Sequence, residues 1–306
     1  MTPRREGTGA KKQQGIALFQ VLVLTTILAL LGLTFASEAR EKIAQAQALE
    51  NRVRADFLAH SGLMLGLFLS LAPERAADVA YPCADGPGRG LFNWHNDPLC
   101  PTPELRLAIQ DLSGLLPLAL PEQPLWRPTL TRLGLSEDAQ DRFLGTLADA
   151  QDRDSESFRA GEREPNGLPT GRRYANGPLQ RRSFLQALTN DPELHAMLAP
   201  LAQRSSVVVF NPRFAPEILL QAGYGDIQGS AFSAQRAQGN LDLLTLRSQA
   251  AQFQDRELLS FSTSGSSYLR IRLEAAVGTG GHRQEILVQL TPRTEPAYRL
   301  LQRLHR

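Results

Sequence analysis

KKQQGIALFQVLVLTTILALLGLTFASEAR, residues 11–40, decides how the rest of the chain is read. From Ile16 to Ala36 it holds 21 residues without a charge. At about 1.5 Å per residue a helix of that length spans roughly 30 Å, the thickness of a hydrocarbon core. A secretory signal has an apolar core of only about 7–15 residues, and Thr34-Phe35-Ala36 is a poor version of its small-residue cleavage site. Arg4, Arg5, Lys11 and Lys12 precede the run, which puts the N-terminus in the cytoplasm and the bulk of the chain outside. The run is expected to stay with the protein as a membrane anchor.

The helical pattern continues past the membrane. No proline occurs between Pro3 and Pro73, and the segment after Ser37 is rich in Ala, Gln, Glu, Arg and Leu. Apolar residues recur at Ile43, Ala46, Leu49, Val53, Phe57, Met64 and Leu67, the stripe of an amphipathic helix. One helix is therefore predicted from about Ile16 to Leu71, roughly 80 Å long, lipid-facing first and then half-buried along this stripe against a globular body. His60 lies near the stripe as a packing or surface residue.

The remaining chain, within a total of 306 residues that is 42% apolar, is long enough for real cores. Strands are predicted at 105–110 and 115–120, a mainly helical block from about 128 to 258, and a hairpin of Tyr268–Val277 and Gln284–Leu290 around the turn VGTGGH. In the hairpin, Leu269, Ile271 and Leu273 alternate with Arg270 and Arg272. Helices inserted between strands of one sheet give an α+β architecture. A formal net charge of +2 points to no nucleic-acid partner. There is no Walker loop, HExxH or GxSxG, and the five histidines have no ligand spacing, so no catalytic residue is singled out. His95 near Asp97 reads as a loop pair.

A basic leader ending in Gly15, an apolar Ile16, and an apolar helix running into an amphipathic one resemble the type IV pilins and type II secretion pseudopilins. The resemblance implies that a prepilin peptidase cuts between Gly15 and Ile16, that Ile16 is then N-methylated, and that the helix enters the central bundle of a filament. Most members carry Glu at the fifth mature position, where its carboxylate neutralises a neighbour's N-terminal ammonium inside an apolar bundle. This chain has Gln20, which cannot ionise. That departure suits a subunit with no neighbour above it, and in the family it marks the large K-type minor pseudopilin.

Motifs along the body are similar to the K-type in order. IQDLSGLLPLAL (109–120) carries its Asp-x-Ser-Gly, although the Asn-Leu-Asn that follows in the family is absent. YANGPLQRRSFLQAL (174–188), VVVFNPRFAPEILLQAG (207–223) and GSSYLRIRLEAAVGTGGHRQEILVQL (265–290) match later segments. The resemblance implies a pilin-like antiparallel sheet packed on the long helix and interrupted by a large helical insertion. The expected organisation is a leader (1–15), the long helix (16–72), a loop with the first strands (73–127), the insertion (128–258), and a C-terminal hairpin and tail (259–306).

Cys83 and Cys100 flank a Gly- and Pro-rich loop. In an oxidising periplasm a disulfide there contributes roughly 3 kcal/mol; the alternative is two free thiols. In DRDSESFRAGERE (152–164), Asp152, Asp154, Glu156, Glu162 and Glu164 form either a calcium site or a solvated acidic loop balanced by its arginines. The spacing departs from an EF-hand, with Ser157 where glycine belongs. The Asp-x-Asp resemblance to K-type proteins, some of which bind calcium, keeps calcium level with the solvated loop.

The function implied is a non-enzymatic tip subunit of a secretion pseudopilus, with other minor pseudopilins, the major pseudopilin, the inner-membrane assembly platform and the prepilin peptidase as partners. Its place would be the bacterial inner membrane, as a single span with a periplasmic head. Two alternatives stand beside it: a minor type IV pilin acting in adhesion or DNA uptake, and a membrane-anchored periplasmic enzyme or binding module.

Overall fold

The computed structural model describes residues 11–72, 79–85, 90–152, 183–189, 191–205, 207–250, 259–261 and 265–305. A single helix, α1, runs from Lys11 to Leu71. It begins before the predicted start, so Gly15 lies inside the helix. From Leu18 to Phe35 its large apolar side chains are exposed, and this stretch is long and apolar enough to cross a membrane.

The chain divides into two compact units, α1 up to Ala55 with Val277–Gly281, and the rest. In the first unit the hairpin turn lies flat on the helix backbone. A Cβ at Gly280 would stand 2.5 Å from the Asn51 carbonyl carbon, and Gly278 has φ +55. Only glycine permits that approach and that backbone.

The second unit is built on a five-stranded sheet in the order β1-β2-β5-β6-β7. Its strands are β1 (Leu99–Thr102), β2 (Leu105–Asp111), β5 (Tyr268–Val277), β6 (Gly280–Leu290, entering the unit at His282) and β7 (Tyr298–His305). β2 and β5 pair antiparallel with Leu107 opposite Leu273 and Ile109 opposite Ile271. Alternation puts Leu105, Leu107, Ile109, Leu269, Ile271 and Leu273 on one buried face, as the hairpin pattern predicts. The C-terminal part of α1 covers that face through Gly62, whose Cβ would meet Leu105 and Leu273 at 3.0 Å, and Gly66, close to Leu107 and Ile109.

The opposite face carries Arg270, Arg272 and Glu285. The Arg272 Nε donates to Glu285 Oε2 at 3.3 Å, and Arg270 donates to the carbonyls of Ala202 (2.7 Å), Pro200 (3.3 Å) and Ala199 (3.4 Å). Those carbonyls follow helix α5 of the insertion, so Arg270 ties the insertion to the sheet and satisfies carbonyls beyond a helix end.

The insertion contains α2 (Trp126–Arg132), α3 (Glu137–Asp149), α4 (Ser183–Thr189), α5 (Pro192–Leu198), α6 (Glu217–Tyr224), α7 (Asp226–Ala237) and α8 (Leu243–Gln249). Ser136, Asp191 and Asp242 cap α3, α5 and α8 with side-chain oxygens on backbone N–H groups. Trp126, Leu130, Phe143, Leu147, Leu219 and Phe232 belong to one buried core. This is the α+β architecture expected from the sequence.

Two strand expectations change. The stretch 115–120 does not join the sheet; Leu116–Pro117 (β3) pairs in parallel with Ala202–Gln203 (β4) inside the insertion. The residues after the hairpin, expected as a tail, form β7 against β6.

Candidate functional site

Of the stripe predicted to pack on the body, Leu67 is buried as expected, but Phe57 and Met64 face outward. Phe57 is 70% and Phe68 58% exposed, with Met64 exposed between them, whereas Ala59, Gly62, Leu63, Gly66 and Leu67 are buried. The reason is distance. A helix lies close on a sheet only where its facing residues are small, and alanines and glycines at helical spacing provide that surface. The signal was legible in Ala55, Ala59, Gly62 and Gly66, and the larger apolar residues obscured it.

The Asp-x-Ser-Gly motif forms the neck of the insertion. Asp111, fully buried at the end of β2, accepts from the Ser113 N–H (2.8 Å) and Oγ (2.6 Å) through Oδ1, and from the Ser266 N–H (2.5 Å) through Oδ2. The chain leaves the sheet at Asp111 and returns to it at Ser266, so one carboxylate holds both crossings. Burial raises the Asp111 pKa, and its hydrogen bonds to Ser113 and Ser266 oppose the rise. Gly114 is required beside it, since a Cβ there would meet the Phe214 carbonyl oxygen at 2.2 Å. The Gln110 side chain reinforces the contact by donating to that same carbonyl at 2.8 Å.

His95 and Asp97 are paired at 3.0 Å, with the His95 side chain only 10% exposed. Burial, then the nearby Arg236 and Arg213 charges, push the imidazole down to about 4 against the pull of Asp97. Burial pushes the Arg236 guanidinium down to about 10, and it donates to the Arg213 and Ala215 carbonyls. The pair sits where the 91–97 loop meets α7, with His95 turned inward and Asp97 partly open to solvent.

Cys83 and Cys100 are joined in a disulfide. Of the five carboxylates considered for calcium, only Asp152 lies among the described residues, half-buried just beyond α3; Asp154, Glu156, Glu162 and Glu164 fall outside them. No group of three or more His, Cys, Asp or Glu side chains placed to hold a metal occurs among the described residues. Gly15 and Ile16 lie on α1, and Gln20 is exposed in its apolar part.

Neither a protein-family model nor a curated protein matches the chain. Among solved structures, a chain of the GspK-GspI-GspJ complex from the enterotoxigenic Escherichia coli Type 2 Secretion System is similar, with TM-score 0.55 and 17% identity, over 86% of this chain and 99% of that one. The fold is pilin-like. The likeness extends over 86% of this chain. At this identity the similarity is one of architecture.

Proposed function

We propose that this chain is the K-type minor pseudopilin at the tip of a type II secretion pseudopilus, where it initiates and caps filament assembly. The carrying observation is the open apolar stripe of α1, Phe57 to Phe68, in a pilin-like fold with a large helical insertion. An amphipathic helix with an uncovered apolar face fits a groove between other helices. In this reading the helices of other minor pseudopilins and of the major pseudopilin cover the stripe, and the insertion blocks addition above. Gln20 supports the terminal place, since a subunit with nothing above it has no ammonium to neutralise. The companions of the similar chain in its complex, GspI and GspJ, suggest the class of minor subunit that would bind here.

The proposal includes cleavage after Gly15 by a prepilin peptidase, methylation of Ile16, and anchoring in the inner membrane with the head in the periplasm and the assembly platform beneath. It also keeps calcium, held by Asp152, Asp154, Glu156, Glu162 and Glu164, as a stabiliser of the insertion. The disulfide supports an oxidising compartment for the head.

Mass analysis of the N-terminus, from membranes with and without a prepilin peptidase, tests the pathway. A mature chain starting at methylated Ile16 is expected. A chain retaining residues 1–15 in both samples sinks the proposal and leaves a membrane-anchored periplasmic module. Co-purification with secretion pseudopilins, rather than with type IV pilus subunits, separates the pseudopilus from the pilus reading.

A further inference from the structure

The five-stranded sheet ends in β1 on one side and β7 on the other. An edge strand leaves backbone N–H and C=O groups facing outward, and proteins close such edges with proline, irregular register, brevity or a covering segment. β1 has all four. It is four residues long, contains Pro101, shifts register between Leu99 and Thr102, and gives its Cys100 N–H to the Tyr81 carbonyl.

β7 is eight residues long and proline-free, with one register shift opposite Leu287 and Val288. Among the described residues its backbone bonds only to β6. Leu300 and Leu301 are each 50% exposed. Arg299 and Arg303 flank them in solvent, neither forms an ion pair among the described residues, and the strand holds no acidic residue.

We infer that the free edge of β7 is a docking strand for an extended, acidic segment of another protein, which joins the sheet as a sixth strand. Main-chain hydrogen bonds of the ladder would supply the attraction, and the side chains the selection. Glutamates or aspartates on the incoming strand meet Arg299 and Arg303, while its β-branched or aromatic residues cover Leu300 and Leu301. A second copy of this chain is the wrong occupant. Its own β7 would bring two more arginines and no acidic residue to the edge, so nothing in it would balance Arg299 and Arg303. The open edge is a property of the sheet and is independent of the pseudopilus reading.

The test uses the full chain in detergent micelles and two labelled peptides of alternating Thr and Val, one carrying two glutamates and the other two lysines. Fluorescence anisotropy at low and high salt reads binding, and amide exchange over 298–305 reads its place. The glutamate peptide is expected to bind, to weaken with salt and to slow exchange in β7. The double variant Arg299→Glu/Arg303→Glu, with an unchanged thermal transition, weakens it about tenfold and turns preference to the lysine peptide. Failure of the glutamate peptide to slow exchange in β7, or equal binding of the two peptides, overturns the inference. So does β7 already protected in a concentration-dependent dimer of the chain.

Discussion

Leu67 and Phe68 are neighbours on α1 with opposite surroundings: Leu67 is 2% exposed and Phe68 58%. The same contrast runs along the helix, with Ala59, Gly62, Leu63 and Gly66 turned inward and Phe57 and Met64 outward. Hydrophobicity alone assigns the larger residues to the core. Packing reverses the assignment, because close approach to Leu105, Leu107 and Leu273 selects for small side chains, and the bulk left outside is area for another helix to bury. An apolar stripe on a long helix therefore names a contact without saying whether it lies within the chain or between chains.

The largest effect tests the inward side. Leu67→Ala should cost about 4 kcal/mol through lost burial and a cavity, read as a lower urea midpoint. Next, Gly62→Leu should cost about 3 kcal/mol by driving the helix off Leu105 and Leu273, lowering Tm by roughly 10 °C. Gly62→Ala should cost below about 1 kcal/mol, because its Cβ stops 3.0 Å from the δ-carbons of those two leucines and they can give way.

Acid should weaken the body and leave the outward stripe unchanged. His95 falls from 6.5 to about 4 in the folded chain, so the unfolded chain takes the proton first. Its contribution is full above the unfolded value and is lost as pH drops from there towards the folded one, by roughly 3 kcal/mol in all. His95→Gln should remove that part of the pH dependence when urea midpoints are compared across the window. The smallest effect on stability belongs to the outward side. Phe68→Ser should change stability by about 0.5 kcal/mol or less and yet reduce co-purification with pseudopilin partners. If it destabilises the isolated chain as Leu67→Ala does, the two faces are not distinct.

Much of the fold was legible in the sequence because its signals are local. The uncharged run Ile16–Ala36 and the alternation of Leu269, Ile271 and Leu273 each identify an element without reference to the rest of the chain. β7 was hidden by its own irregularity. Leu300 and Leu301 fall together where the register shifts, and two adjacent leucines break the period of two that marks a strand. The run 115–120 is apolar enough for a strand, but Pro117 and the parallel partner Ala202–Gln203 place its pairing inside the insertion. The Asp-x-Ser-Gly motif was visible as a pattern. Its work was not, because the partner Ser266 lies 155 residues away in sequence.

That carboxylate gives the insertion a single doorway. Entry and exit strands are held side by side at Asp111, so everything between them closes on itself before the sheet continues, and the closure cost grows only slowly with the length enclosed. A segment attached in this way can lengthen, shrink or change its surface without moving the β2–β5 register. The insertion is free to diverge while the sheet beneath the helix stays fixed.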